Sequence, residues 1–492
     1  MKKINTKILF ASALLIAGAC TSDFEKINTN PNNPTNVSPQ LLLPQAIRDV
    51  VNSLMDETWG IGNIVVQHTA KNQFVNEDRY LWGEKNTIWN AVYDNLRDVN
   101  NIVVIAKRDK LSNNEAVALI LKSWMFSLAT DAYGDVPYSQ AIKAKEGINY
   151  AKYDTQEEIY QGILADLTTA NTLLSTGTDV ISGDPLYNGS IMKWRKLANS
   201  LRLRYLMRIS DRKSVGADMT AIISNPSTSP IFTSNDDNAA YTYLANAPDQ
   251  FPQYSSRIGS FNEFRASKTL VDWLAVRNDP RLKVFFRPTP VTENTPSTAD
   301  DVYVGIPNGL SDVGAQEFNG GQQFQSRIGS LYYENAITPS GLNTAKGIIM
   351  NFAELKFILA EAAEKALISG TAETFYLDGI KESFNFYGVD PGAAYYTQSS
   401  VAYTGTKADK LVKIGEQKWS SLFYSGLESW FDWRRTNIPA LSPSATNQNS
   451  NKIPVRFIYP IIEQALNGEN RKAALARQGT DDINTKVWWD AN

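Results

Sequence analysis

Cysteine and histidine are nearly absent from this 492-residue chain: it has one of each, Cys20 and His68. A single thiol leaves no intrachain disulfide and no cysteine-built metal site. A single imidazole restricts any histidine-dependent triad to His68. That residue lies beside Val65, Val66 and Ala70, so it reads as packed rather than ligating. A cationic excess is missing as well, since the formal charge is −3, which argues against nucleic acid or an anionic membrane surface held by general electrostatics. The only long apolar run, around Ile8 to Ile16, is too short to span a bilayer. No nucleophile–base motif, opposed carboxylate pair, cofactor motif or metal motif stands out among the 51 acidic residues and the rest. No enzyme activity is expected, and no cofactor.

What is present begins with that short run. Lys2, Lys3 and Lys7 precede it and Ala17-Gly18-Ala19-Cys20 closes it, the pattern of a secretory signal. Ending in small residues and a cysteine, it resembles a bacterial lipoprotein signal, with residues 1–19 removed and Cys20 acylated. Each buried methylene of such an anchor stabilises by roughly 0.8 kcal/mol, so two or three acyl chains hold a soluble domain durably. Loss of the three lysines moves the formal charge to −6, because residues 1–19 contain no acid. Residues 20–36, polar and rich in Asn and Pro, read as a tether, and residues 37–492 as the body.

Within the body, apolar residues recur at helical spacing over 39–57, 61–71, 85–107 and 113–130. Thr155 with Glu158 forms a capping box that opens a helix with Ile159, Ile163, Leu167 and Leu174 on one stripe. Further helices are expected over 190–212, 351–368, 371–387 and 407–424. The arginines of the 190–212 stretch read as a solvated or carboxylate-paired face rather than an anion site. Helix pairs recur without a strict 34-residue consensus. From 225 to 345 the texture changes to Gly, Pro, Asn and Ser with one short helix near 267–277, which implies an irregular layer packed on the helices. The fold class is therefore mainly α, one lobe of tetratricopeptide-like helix pairs covered by a loop-rich layer with little strand.

Aromatic residues make up 11% of the chain and must fill core, ligand surface or both. Trp89, Trp124, Trp194 and Trp419 sit among apolar residues at helical spacing and have a core to fill. Phe74, Tyr80 and Trp82 sit in a polar stretch between helices, which marks them as ligand-facing candidates. Tyr254 and Phe318 in the loop-rich layer are second choices.

Several motifs occur in order. They are Ala132-Tyr133-Gly134-Asp135-Val136-Pro137-Tyr138, then Tyr153-Asp154-Thr155-Gln156-Glu157-Glu158, then Asn278-Asp279-Pro280-Arg281-Leu282 and the helix Glu354 to Ala362. Glu428-Ser429-Trp430-Phe431-Asp432-Trp433-Arg434-Arg435-Thr436 follows, with Ile453-Pro454-Val455-Arg456, Tyr459-Pro460 and a closing Val487-Trp488-Trp489-Asp490. Together they resemble the SusD/RagB family of outer-membrane nutrient-binding lipoproteins, over nearly the whole chain. Asp23 and Glu25 after the cysteine look like a surface-export signal. The resemblance implies a lipoprotein on the outer face of the outer membrane that captures an oligomeric nutrient. A glycan is the first choice and a peptide the alternative, handed to a SusC-like TonB-dependent transporter. It implies a helical side against the transporter and a loop-rich ligand side. A non-transport adhesive role would show no small-ligand dependence. The Trp430–Arg435 cluster reads as buried packing and ion pairing, and Asp131 and Asp135 as a helix end and turn, not as catalytic carboxylates.

Overall fold

The computed structural model describes residues 38–332 and 345–491, apart from Ala245, Ile258, Asn294, Pro296 and Ala445. The expected signal, Cys20, Asp23, Glu25 and all of the tether lie outside the described residues.

Local sequence rules account for the helices that form. α1 (Pro39–Glu57) starts with proline, whose fixed φ and missing N–H suit the first helical position, and it buries Leu43, Ile47, Val50 and Leu54. α2 (Thr87–Asp109) buries Ile88, Val92, Leu96 and Val99, and places Lys107 and Arg108 at the negative end of its dipole. α3 (Ser112–Tyr133) is buried almost all round, as a central helix must be. The Thr155 capping box is present: its hydroxyl accepts from the Glu158 backbone N–H, and the Glu158 carboxylate accepts from the Thr155 N–H at 2.9 Å, opening α4 (Gln156–Thr176). α5 (Ile191–Arg208) follows, then α6 (Lys268–Val276), α7 (Phe352–Glu364), α8 (Ala372–Tyr387), α9 (Lys407–Ser421), α10 (Glu428–Thr436) and α11 (Gly468–Gln478). Each of α2 to α5 packs on its predecessor; α7 packs on α5, α8 and α9, and α10 on α9. This is the stacked helix-pair arrangement expected from the recurring amphipathic stripes.

Strand is confined to three two-stranded antiparallel ribbons: β1 (Thr69–Lys71) with β5 (Phe264–Ala266), β2 (Val136–Pro137) with β3 (Tyr153–Asp154), and β4 (Ala239–Thr242) with β6 (Lys346–Met350). The helix expected over 61–71 does not form. After one π turn, Thr58–Gly62, helix ends at Val65, Gln67 takes a positive φ of 58°, and Thr69–Lys71 becomes β1. The β-branched pair Val65-Val66 gives little local resistance to that switch, and a partner strand far along the chain supplies the missing hydrogen bonds.

Two of these ribbons pin the loop-rich layer to the helices. Further ties come from Asn308, which donates to the Asp78 carboxylate at 2.7 Å, and from Phe285, stacked on Phe423 at 4.3 Å. Arg281 is fully buried, bridging Asp279 of the layer to Ser383 of α8 and Gln417 of α9.

The 428–436 motif is structural, as its composition suggests. The Arg434 guanidinium lies over the rings of Trp430, Phe431 and Trp489 at 4.3 to 4.9 Å, and donates to the Asp131 carbonyl at 2.6 Å. Arg435 forms a double hydrogen bond to Glu361 at 2.6 Å, and Lys418 pairs with Asp432 at 2.9 Å. The α5 arginines divide. Arg204 and Arg208 are buried against Glu354 and Glu428, Arg195 and Arg202 are partly buried, and Arg212, past the end of the helix, is exposed. Asp131 accepts from Tyr160 and Trp489 inside the core, and Asp135 accepts from the Gln156 N–H and Arg477, so both carboxylates are taken up in structural bonds.

Candidate functional site

The β1–β5 ribbon gathers the chain segments that carry the expected ligand-facing aromatics. Asn72 continues β1 by donating its N–H to the Glu263 carbonyl at 2.9 Å, which brings the 72–82 segment against the turn Ser260–Glu263. That turn packs on the turn Pro252–Arg257, which carries Tyr254. On the other side of β5, Ala266 donates to the Ser326 carbonyl at 3.0 Å, hanging the 318–326 turns from the same ribbon. Three loops distant in sequence thus share one support.

Phe74 stands on this face with 66% of its surface exposed and a positive φ of 53°. An open aromatic ring on a tight, backbone-bonded turn is a stacking surface fixed in advance. Phe318, on the turn Phe318–Gly320, and Tyr254 are half-buried. Gln325, fully buried, holds the Phe318 turn by donating to the carbonyls of Ala315 and Phe318 at 2.8 and 3.1 Å.

Tyr80 and Trp82 are corrected by the structure. They are 2% and 9% exposed. Trp82 meets Trp430 and Phe457 edge-on or tilted at 6.0 and 5.7 Å, and its indole N–H donates to the Glu77 carbonyl at 2.9 Å. Tyr80 packs edge-on against Trp82. Both belong to the core behind the face. Of the polar neighbours that suggested exposure, Asn72 and Asp78 are themselves buried, and the two rings turn inward with Leu81 left outside between them. In irregular chain, average polarity does not report the direction of a single side chain.

Three residues of this face carry no sequence signal of their own. Phe324, on the turn Gln322–Phe324, is 37% exposed beside Phe318. Arg265, the central residue of β5, is 3% exposed, and Arg327 follows the Gln325-Ser326 clamp. Burial, with Arg327 beside it, lowers the Arg265 pKa to about 10. Beneath the face, burial raises the Asp78 carboxyl to about 6, although it accepts from the Lys71 N–H and Asn308. These polar contacts hold the 72–82 segment to the layer.

A cavity of about 540 Å³ lies elsewhere between layer and body, with Asn235, Asp236, Lys346, Tyr332 and Tyr387 in its wall. Of its lining residues, Tyr332 and Ala345 border residues 333–344, which lie outside the described ones and include Tyr333. Among the described residues, no three of His, Cys, Asp and Glu gather as a metal site, and no helix is long and apolar enough to cross a membrane.

A stack of tetratricopeptide-like helix pairs that presents aromatic rings on an irregular layer is the architecture of a ligand-capture scaffold. Residues 31–460 match the SusD-like family described as starch-binding and associating with the outer membrane, and the chain belongs to that family. It is similar in structure to a chitin-binding protein, at 30% identity and a TM-score of 0.79, covering 92% of this chain and 100% of that one. It is similar also to a SusD homologue from Bacteroides fragilis, at 28% identity and a TM-score of 0.79, covering 92% and 99%. A chitin-binding SusD homologue from Flavobacterium johnsoniae aligns at 25% identity and a TM-score of 0.76 over 91% of this chain and 98% of its own. No curated protein matches this chain.

Proposed function

We propose that this protein is a lipid-anchored component of the outer-membrane surface that captures an oligosaccharide on its loop-rich face and passes it to a SusC-like TonB-dependent transporter. The open Phe74 ring carries the reading. It sits on the ribbon that also supports the Phe318 and Tyr254 loops, and sugar rings present apolar faces that stack on such surfaces. The names of two relatives, both chitin-binding, favour a glycan over a peptide. The helical side, built from α1 to α5, is the side we assign to the transporter. Binding without chemistry suffices for the role, and no catalytic step is invoked.

Phe74→Ala and Phe318→Ala test the face. Each should weaken oligosaccharide binding by roughly 1–3 kcal/mol in isothermal titration, as aromatic anchors do elsewhere, with the melting temperature unchanged. Unaltered affinity in both variants, with wild-type binding intact, would move the ligand to another surface.

A further inference from the structure

The loop-rich face contains a guanidinium without a counterion. Arg265 is 3% exposed, and among the described residues no carboxylate pairs with it. Its Nη1 donates to the carbonyls of Asn262 and Phe264, the latter at 3.0 Å, and its Nε is enclosed with no acceptor. Arg327, which follows the Ser326 carbonyl that Ala266 bonds, also has an enclosed Nε without an acceptor. Arg327 binds Glu293 through its other end, where Arg287 binds the same carboxylate. The remaining acid at hand, Glu263, is held by Lys71 at 3.5 Å. Burying a cation costs free energy unless an anion or a full set of acceptors meets it. Here Glu293 is shared between Arg327 and Arg287, Glu263 is held by Lys71, and the two Nε–H groups have no acceptor among the described residues.

The place of this pair matters. Arg327 lies three residues from the exposed Phe324, and its side chain is 25% exposed, which opens the pair to the ligand side. Arg265 lies on the ribbon that supports Phe74 and the Phe318 turn. A planar guanidinium next to open rings reads a sugar that offers an apolar face and a negative group within one residue or two.

We propose that Arg265 and Arg327 form an anion subsite of the ligand face, so that the glycan captured is an acidic one, carrying uronate carboxylates or sulfate esters. This rests on the loop-rich layer being the glycan face. The negative group compensates the charge that the fold leaves open, and the rings beside it hold the sugar. A neutral glycan would fill the stacking surface and leave the two guanidinium groups as they are.

Isothermal titration of the mature chain with oligogalacturonate and with the same oligomer fully methyl-esterified tests the charge alone. A chondroitin sulfate oligomer against its desulfated form separates sulfate from carboxylate, and chitohexaose is the neutral reference. At least one acidic oligomer should bind about tenfold or more tighter than its neutralised form, an advantage that shrinks as salt rises from about 0.05 to 0.5 M. Arg327→Gln and Arg265→Gln should each remove that advantage. Because the ester comparison uses the unaltered protein, the result does not depend on the variants folding. Equal binding of charged and neutralised oligomers overturns the subsite and leaves glycan capture standing. An acidic preference that survives both substitutions places the anion elsewhere and overturns it too. If no oligomer binds, charged or neutral, glycan capture itself falls.

Discussion

His68 shows what one residue can reveal. It is fully buried, 4.8 Å from the Trp419 ring and 5.6 Å from Phe423, as its apolar neighbours in sequence suggest. Burial penalises the imidazolium and lowers the pKa from the ordinary 6.5 to about 3. The folded pKa is depressed, so stability is full above pH 6.5 and is lost as pH falls, because only the unfolded chain takes up the proton. The loss is about 1.4 kcal/mol per pH unit below that point. Urea denaturation at pH 7 and pH 5 should therefore show roughly 2 kcal/mol more acid destabilisation in the wild type than in His68→Phe. Equal pH dependence in the two would mean that His68 is reached by water. The same scale explains why Phe74 and Trp82 part company. They lie eight residues apart in one polar stretch, and only contact with Trp430 and Phe457, both more than 300 residues away, turns one of them inward.

Among elements, α10 carries the strongest motif of the sequence and none of the ligand face. Arg435 and Glu361 are nearly closed to solvent, and they join α10 to α7. Burial alone would raise the Glu361 carboxyl, but the Arg435 guanidinium outweighs it and holds the carboxyl well below its usual range. Removing the carboxylate takes away the double hydrogen bond of Arg435 and leaves it to share Asp432 with Lys418, so Glu361→Gln should cost roughly 3 kcal/mol in denaturation. The folded fraction should still bind oligosaccharide normally; a loss of binding at unchanged stability would instead put the motif in the site. The helices themselves were legible because an apolar stripe and a cap are local properties, read within one or two turns. The segment 61–71 was not, because β1 exists only by pairing with residues 264–266.

For the whole molecule, the expected anchor and the transporter are the open claims. Cys20→Ser should abolish palmitate labelling and move the protein out of the membrane fraction; an unlabelled wild type would end the lipoprotein assignment. Mild detergent extraction from cells that also make the transporter should bring a large TonB-dependent barrel down with this chain. Repeated recovery of the chain alone would count against delivery. Both outcomes are independent of the glycan measurements, since they concern where the protein sits and what it touches.

The order of motifs, the helix stripes, the Thr155 cap and the change of texture after residue 225 were enough to specify a helical lobe under an irregular layer, and to mark the Trp430–Arg435 cluster as packing. They depend on neighbours in the chain or on composition over a long window, which a sequence carries openly. The ligand face is of another kind. Phe74 points outward and Tyr80 and Trp82 inward, the Phe318 and Tyr254 turns hang from one ribbon, and Arg265 ends up buried beside Arg327 without a carboxylate. Each of these is decided by contacts between segments about 60 to 350 residues apart, and no local pattern records which partner such a segment will meet.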